Sequence, residues 1–278
     1  MENLEKLYSP SRWSKRGNST EVQVKHVQFL ENHSKLAKEK IPSESISYGQ
    51  SPREKFDVYG TDLKDDSPIL IHIHGGYYQE EALTHTNNGF ISNIFYENGI
   101  KTILLGYELC QQKTLRQILD GISNGLKECL KYAVKLNSRG MYISGHSVGA
   151  HAIAYILQNL KTDLIKSVFL LCGIYNLEPL IQMSANDLLK LSSQEAKDFS
   201  PLLNGKINYG KIAIYIFASE WDSPAFVKQS EEFYEKLQQN QVKCYLNVIP
   251  KVDHFDVIEN LYYEDFELTK IILQAIKE

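Results

Sequence analysis

One serine in this sequence lies in a pattern that is typical of nucleophilic catalysis. Ser147 is the centre of a Gly-x-Ser-x-Gly pattern whose glycines are Gly145 and Gly149. An apolar run precedes it, and a run of small and apolar residues from Ala150 to Leu160 follows it. This order predicts a nucleophile elbow, in which a strand turns sharply into a helix with the serine at the apex. Glycine suits both flanking positions because a Cβ has no room where the limbs of such a turn cross. The pattern alone also occurs by chance in loops.

A serine nucleophile needs a base, and the base needs an acid that orients it. Beyond the predicted elbow helix the sequence has one further histidine, His254, directly after the last predicted strand. We therefore predict that His254 is the base. Asp222 follows the penultimate strand and is the predicted acid; Glu220 is the alternative, and a helix N-cap is the structural interpretation of Asp222. The order serine, acid, histidine is that of α/β-hydrolases.

A third pattern could supply donors for a negatively charged intermediate. His74-Gly75-Gly76-Tyr77 directly follows the apolar run Ile69–Ile73, as the His-Gly-Gly loop of lipases and esterases follows a strand. Backbone N–H groups of such a loop stabilise the oxyanion of a tetrahedral intermediate. We predict that the donors are the N–H groups of Gly76, Tyr77 and Val148. The three patterns together predict a serine hydrolase.

The elements that must position these residues are strands that alternate with helices. The predicted strands are 45–49, 55–59, 69–73, 101–107, the run before Ser147, 167–173, 211–218 and 242–249. The predicted helices are 20–40, 87–98, 114–136, 150–160, 224–240 and 266–277, with Thr114 and Gln117 as a candidate capping box. This alternation predicts an α/β fold, with a mostly parallel, twisted sheet and helices on both faces. The segment at about 176–208 carries two prolines and no strand pattern, so it is the predicted small helical cap of a single domain, 1–278.

Composition narrows the classes of protein to consider. The chain has 278 residues, of which 43% are hydrophobic and 23% charged, and a net charge of −4 with acids and bases interspersed. The sequence has no basic stripe, so nucleic acid is not an expected partner. It has no apolar run that suggests a membrane span or a secretory signal. The four cysteines are far apart in the sequence, so neither disulfides nor a zinc site is expected. Free cysteines favour the cytosol as the compartment. No metal or other cofactor is expected. His72 is expected in the core, and His26, His33 and His85 at the surface.

Beyond these patterns, the chain resembles the kynurenine formamidase (arylformamidase) family of α/β-hydrolases, which is related to the hormone-sensitive-lipase branch. The matching blocks run nearly end to end: Tyr8-x-Pro10-Ser11-Arg12-Trp13, His74 to Gln79, Tyr107-x-Leu109-Cys110, Gly145 to His151, Leu170 to Tyr175, Asp222-Ser223 and Asp253 to Glu259. The resemblance implies hydrolysis of N-formyl-L-kynurenine to L-kynurenine and formate. It also implies that His74, Gly75 and Tyr78 belong to the loop motif and substrate pocket. Tyr78 stands where the family has tryptophan. The tyrosine adds a hydroxyl group and offers a smaller aromatic surface.

Two alternatives stay open at the level of the sequence. A general carboxylesterase would use the same serine, histidine and acid, because nothing in that set distinguishes an ester from an anilide. A hydrolase-fold protein that only binds a ligand is the alternative from another class, although the complete set of catalytic residues argues against it. The expected partner is a small-molecule substrate, and a homodimer is the candidate assembly.

Overall fold

An eight-stranded sheet forms the centre of the computed structural model, which describes residues 2–160 and 162–277. Its strands are β1 (Ser43–Ser47), β2 (Lys55–Tyr59), β3 (Ile69–Ile73), β4 (Lys101–Leu105), β5 (Met141–His146), β6 (Ile165–Leu171), β7 (Ala213–Ser219) and β8 (Cys244–Ile249). The strand order is β1-β2-β4-β3-β5-β6-β7-β8. The first two strands form an antiparallel pair, and β2 lies antiparallel to β4. All later neighbours are parallel, so the predicted mostly parallel sheet is confirmed.

Helices supply the connections between the parallel strands. Those between parallel strands are α4 (Ser92–Glu97), α5 (Leu115–Lys135), α6 (Val148–Ile156), α7 (Asn186–Leu189), α8 (Ser193–Asp198) and α9 (Pro224–Gln239). Before β1 the chain forms α1 (Glu2–Leu7), α2 (Pro10–Trp13) and α3 (Ser19–Lys40), and after β8 it forms α10 (Asp256–Glu259) and α11 (Glu267–Lys277). Short 3₁₀ helices occupy Thr86–Ile91, Glu178–Gln182 and Asn260–Tyr262. None of the helices in the described part of the chain has both the length and the apolar character that crossing a membrane requires.

Local sequence accounts for several of these elements. The strand β3 begins and ends where its apolar run does, and all five of its residues are buried, as expected for a strand that is covered on both faces. At the start of α5, the Thr114 side chain accepts a hydrogen bond from the Gln117 N–H while Gln117 caps Thr114 in return, which confirms the predicted capping box. The predicted helix 87–98 is instead a 3₁₀ helix followed by α4.

The register of the sheet brings the two loops of the site together. Ile73, at the end of β3, pairs with Gly145 near the end of β5, and the strands run in the same direction. The loop that carries His74 to Tyr77 and the elbow at Ser147 therefore leave the sheet side by side at its carboxyl edge. This edge is where open α/β sheets bind ligands.

Between β6 and β7, the chain makes the 3₁₀ helix Glu178–Gln182 and then α7 and α8. The described residues of this segment form no strand, in agreement with the pattern that suggested a cap. Its Met183, Ser184 and Ala185 reach the cavity that holds Ser147. The division of the chain into one domain and a cap stays a prediction.

Two histidines that were expected at the surface are buried, so that expectation was wrong for them. His26 is 4% exposed and its Nδ1 lies 2.7 Å from Oε1 of Glu259, a residue from the far end of the chain. His85 is 7% exposed and its Nε2 lies 3.8 Å from Oδ1 of Asp57 on β2. The polar residues around each histidine in the sequence indicated exposure. Each ring is instead buried beside a carboxylate from a distant element.

Candidate active site

The turn at Ser147 has the backbone of a nucleophile elbow. Ser147 separates β5 from α6 and has φ 55° and ψ −119°, a conformation that L-residues rarely adopt. A Cβ on Gly145 would lie 2.6 Å from the carbonyl carbon of Gly149, and one on Gly149 would lie 2.2 Å from the carbonyl oxygen of Ile73. Both glycines are thus required by close backbone approach, as the sequence pattern predicted.

The predicted base and acid lie within hydrogen-bonding distance. Nδ1 of His254 is 2.6 Å from Oδ2 of Asp222, and both side chains are at most 5% exposed. A carboxylate in this position holds the Nδ1–H tautomer and leaves Nε2 free to accept a proton. Glu220, the alternative acid, is exposed, and its Oε2 instead accepts a hydrogen bond from the backbone N–H of Lys251 at 2.7 Å. His254 and Ser147 line one cavity of about 370 Å³.

The amides of the glycine loop are available as donors. Among the described residues, the N–H groups of Gly76, Tyr77 and Val148 donate no hydrogen bond to another group of the protein. The hydroxyl of Tyr107 contacts the carbonyl oxygens of His74 at 2.9 Å and Gly75 at 3.0 Å. Because C=O and N–H point in opposite directions across a trans peptide, this contact turns the Gly76 N–H away from Tyr107. Gly76 and Tyr77 both line the cavity.

His74 packs against this loop through contacts to Tyr107 and Gly75. Its ring stacks on Tyr107 with centroids 4.3 Å apart, and its Nδ1 lies 2.8 Å from the carbonyl oxygen of Gly75. Burial lowers the pKa of His74 to about 3, so the ring is neutral. Gly75 packs against the elbow: a Cβ there would lie 3.0 Å from Nδ1 of His146 and 3.2 Å from the Cβ of Ser147. Neither His74 nor Gly75 lines the cavity, where the substrate pocket was expected to include them.

Tyr78 also lies away from the cavity, and its hydroxyl explains why. Its Oη–H lies between two acceptors, Nδ1 of His151 at 2.6 Å and the carbonyl oxygen of Val148 at 2.8 Å. Nε2 of His151 in turn donates to the carbonyl oxygen of Phe199, after α8, at 2.8 Å. The side chain of Tyr78 is thereby drawn inward and is 1% exposed. The aromatic residue at this position connects the glycine loop to α6.

Two contributors to the site were given no catalytic role at the level of the sequence. Nε2 of His146 donates to the carbonyl oxygen of His254 at 2.8 Å, and burial followed by the charge of His254 holds the pKa of His146 well below its ordinary value. The N-terminal segment, including Tyr8 and Arg12, forms one wall of the cavity. The block Tyr8-x-Pro-Ser-Arg12-Trp was a signal for that wall, but it carried no chemistry of its own.

A thiol completes a buried group of three side chains. Among the described residues, Cys172, Asp222 and His254 bring one ligand atom each to within 4.8 Å of one another. Two ligands of one tetrahedral zinc ion lie about 3.4 Å apart, because each is about 2.1 Å from the metal. The 2.6 Å between Asp222 and His254 is a hydrogen-bond distance instead. Burial, then the charge of Asp222, raises the pKa of Cys172 well above its ordinary value, so this thiol stays protonated.

Solved structures share the fold of this chain. A candidate thioesterase from a Silicibacter species superposes with a TM-score of 0.79 at 21% identity, over 99% of both chains. An esterase from Pyrobaculum calidifontis superposes with a TM-score of 0.70 at 16% identity, over 93% of this chain and 92% of the other. These similarities establish an α/β-hydrolase fold.

Curated sequences are more similar still, although no protein-family model matches the chain. Kynurenine formamidase from Danio rerio is 31% identical over 98% of this chain and 95% of its own length. Kynurenine formamidase from Salmo salar is 31% identical over the same shares. With an α/β-hydrolase fold, an elbow serine and a histidine–aspartate pair at the same cavity, the chain belongs to the kynurenine formamidase family.

Proposed function

We propose that this protein hydrolyses the formamide of N-formyl-L-kynurenine, giving L-kynurenine and formate, with Ser147, His254 and Asp222 as its catalytic triad. The observation that carries the proposal is the 2.6 Å contact between His254 and Asp222 at a cavity that His254 shares with the elbow serine. The end-to-end similarity to kynurenine formamidases supplies the substrate. The proposed compartment is the cytosol, because all four cysteines are free thiols.

In the first half of the reaction, Nε2 of His254 takes the proton from Ser147 Oγ as that oxygen attacks the formyl carbon. Asp222 accepts the Nδ1–H bond and stabilises the imidazolium that forms. The formyl oxygen becomes an oxyanion, for which the unpaired amides of Gly76, Tyr77 and Val148 are the donors. One such donor is worth about 3–4 kcal/mol of barrier.

In the second half, the tetrahedral intermediate collapses. The C–N bond breaks as Nε2–H of His254 gives its proton to the departing aryl amine, which leaves as L-kynurenine. A water molecule then loses a proton to His254 and attacks the formyl ester on Ser147. Collapse of the second intermediate returns the proton to Ser147 Oγ and releases formate. The acyl group is a single carbon, so discrimination between substrates has to come from the leaving-group side of the cavity.

A carboxylesterase is the second candidate, because the solved structures with this fold include esterases. An ester and an anilide differ in the leaving group, and an anilide needs a proton from His254 more than a phenolate does. The two functions therefore use the same residues. They differ in the ratio of the hydrolysis rates for the formamide and for an ester.

The deciding experiment compares hydrolysis of N-formyl-L-kynurenine with that of p-nitrophenyl acetate by the wild-type protein. We expect kcat/KM to favour the formamide, and a preference for the ester by several orders of magnitude would support the carboxylesterase instead. Ser147→Ala should lower kcat by at least about 10³-fold, as loss of a triad nucleophile does. Cys172→Ser is the matched control: it removes the one thiol beside Asp222 and should keep activity, whereas loss of activity in this variant alone would indicate a cysteine nucleophile.

A further inference from the structure

The N-terminal strap, residues 2–19, contacts each of the three loops that carry the proposed triad acid, the triad base and the oxyanion donors. The hydroxyl of Ser223, beside Asp222, donates to the carbonyl oxygen of Leu7. The hydroxyl of Tyr77 donates to the carbonyl oxygen of Tyr8. The strap is therefore held in place by the same loops that position the reacting groups.

A third contact joins the strap to the loop of the base. The hydroxyl of Ser14 donates to Oδ2 of Asp253, the residue before His254. Oδ1 of the same carboxylate accepts the N–H groups of Phe255 and Asp256 at 2.8 Å, which fixes the turn that presents the imidazole. These contacts thus fix the position of the strap between residues 8 and 14 relative to the cavity.

Arg12 is the cation on this stretch of the strap. Its helix α2 is seated by Pro10 and Ser11, which are buried, and by a hydrogen bond from the Gln229 side chain to the Tyr8 hydroxyl at 3.1 Å. Arg12 itself is exposed and lines the cavity together with Ser147 and His254. A fixed backbone with a free side chain is suited to ligand binding, because little backbone entropy is lost when the ligand arrives.

The guanidinium of Arg12 has no counter-ion among the side chains that the structure describes. Among the described residues, no carboxylate or carbonyl oxygen accepts a hydrogen bond from it, and of those that line the cavity it is the only arginine or lysine. Two carboxylates also line the cavity and bond elsewhere: Glu5 accepts from the Ser184 N–H at 3.1 Å, and Glu80 from the Ala82 N–H at 3.3 Å. An unpaired guanidinium at the rim of a catalytic cavity is available to an anion from solution.

We propose that Arg12 is a substrate-recognition residue that binds the α-carboxylate of an aromatic amino-acid substrate whose acyl group is presented to Ser147. This inference rests on the proposed function, because that function supplies a substrate with a free α-carboxylate. A planar guanidinium matches a carboxylate with two parallel N–H···O bonds. The strap then discriminates amino-acid formamides from simple aryl formamides and esters, which have no such group.

The test removes the charge from the protein and the carboxylate from the substrate in turn. For N-formyl-L-kynurenine, Arg12→Gln should raise KM by about 10-fold or more, with kcat nearly unchanged. For N-formylkynuramine, the analogue that lacks the carboxylate, the same variant should behave as the wild type does. Arg12→Lys should recover part of the loss, because it restores the charge without the two-pronged geometry.

Lys25→Gln is the matched control, since it removes one exposed positive charge from α3 without changing the cavity wall. It should leave KM for both substrates as in the wild type. If Arg12→Gln changes both substrates equally, or neither, the inference is overturned. A wild-type protein that does not hydrolyse N-formyl-L-kynurenine at all would overturn the proposed function first, and the two failures are therefore distinguishable.

Discussion

Oδ2 of Asp222 contacts Nδ1 of His254 at 2.6 Å, whereas the carboxylate of Glu220, two residues earlier, contacts the backbone N–H of Lys251 at 2.7 Å. Two acids of one loop are thus divided between two tasks. Glu220 joins the loop after β7 to the loop after β8 at the surface, and Asp222 turns inward to the imidazole. Of these two acids, Asp222 is the one within hydrogen-bonding distance of the imidazole.

Asp222→Asn should therefore lower kcat by about 10⁴-fold, the effect of the same change in a serine protease triad, because an amide favours the wrong imidazole tautomer. Glu220→Gln should stay within a few-fold of the wild type in kcat/KM. Steady-state kinetics with N-formyl-L-kynurenine check both variants. Comparable losses in the two would contradict the assignment of the acid.

His146 should behave as a positioning residue for the base. Its Nε2–H donates to the carbonyl oxygen of His254, so His146→Phe leaves that carbonyl without a partner and the loop free to shift. We expect kcat to fall by roughly 10-fold, from the loss of about 1–2 kcal/mol of hydrogen bonding. His146→Gln, which can still donate, should recover part of the rate.

The pH profile separates this role from direct proton transfer. Burial, followed by the charge of His254, holds the pKa of His146 well below its ordinary value, so the ring is neutral at neutral pH. The acid limb of kcat/KM should thus keep its midpoint in His146→Gln. A displaced midpoint would contradict a role limited to positioning.

Local patterns were sufficient to predict several secondary-structure elements and the elbow at Ser147. The strand β3 needs only its own apolar residues, and the capping box of α5 needs only Thr114 and Gln117. The elbow follows from two glycines that no side chain could replace. Each of these features depends on residues that are near each other in the sequence, which is why pattern and spacing predict them.

Features that depend on distant partners could not be predicted in this way. Tyr78 was expected beside the substrate, but its hydroxyl pairs with His151, 73 residues later, and the ring is drawn into the core. His26 was expected at the surface, but it pairs with Glu259, 233 residues later. A sequence pattern carries no information about which of many polar groups will meet when the sheet brings remote segments together.

Buried neutral histidines should make the stability of the fold depend on pH. Burial lowers the pKa of His72 to about 3, and the same side chain has a pKa of about 6.5 when unfolded. Between these values the unfolded chain binds a proton that the folded chain does not, so the free energy of unfolding falls as the pH drops below about 6.5. The slope is about 1.4 kcal/mol per pH unit for each such histidine. Urea denaturation at a series of pH values measures it.

His72→Gln tests how much of this slope belongs to one ring. Glutamine keeps a polar group near Ser144, whose hydroxyl lies 2.9 Å from Nδ1 of His72, but it does not titrate. The variant should show a slope shallower by up to about one proton between pH 6.5 and pH 4.5. An unchanged slope would show that His72 is protonated in the folded protein.

Two of the helix glycines, Gly149 and Gly121, should respond to alanine in opposite ways. At Gly149, in the first turn of α6, a Cβ would lie 2.2 Å from the carbonyl oxygen of Ile73 and 2.8 Å from that of His74. Both neighbours are backbone at the start of the glycine loop and have no free rotation with which to avoid it. Gly149→Ala should therefore force the loop away from the elbow, with a loss of several kcal/mol of stability and of the oxyanion donors.

At Gly121, inside α5, the nearest atom is Oε1 of Glu54 at 3.8 Å, so Gly121→Ala should stabilise the fold by about 0.5–1 kcal/mol. Thermal unfolding and kcat/KM of the two variants, measured side by side, check this contrast, and equal effects on both would contradict the close contact between the elbow and β3.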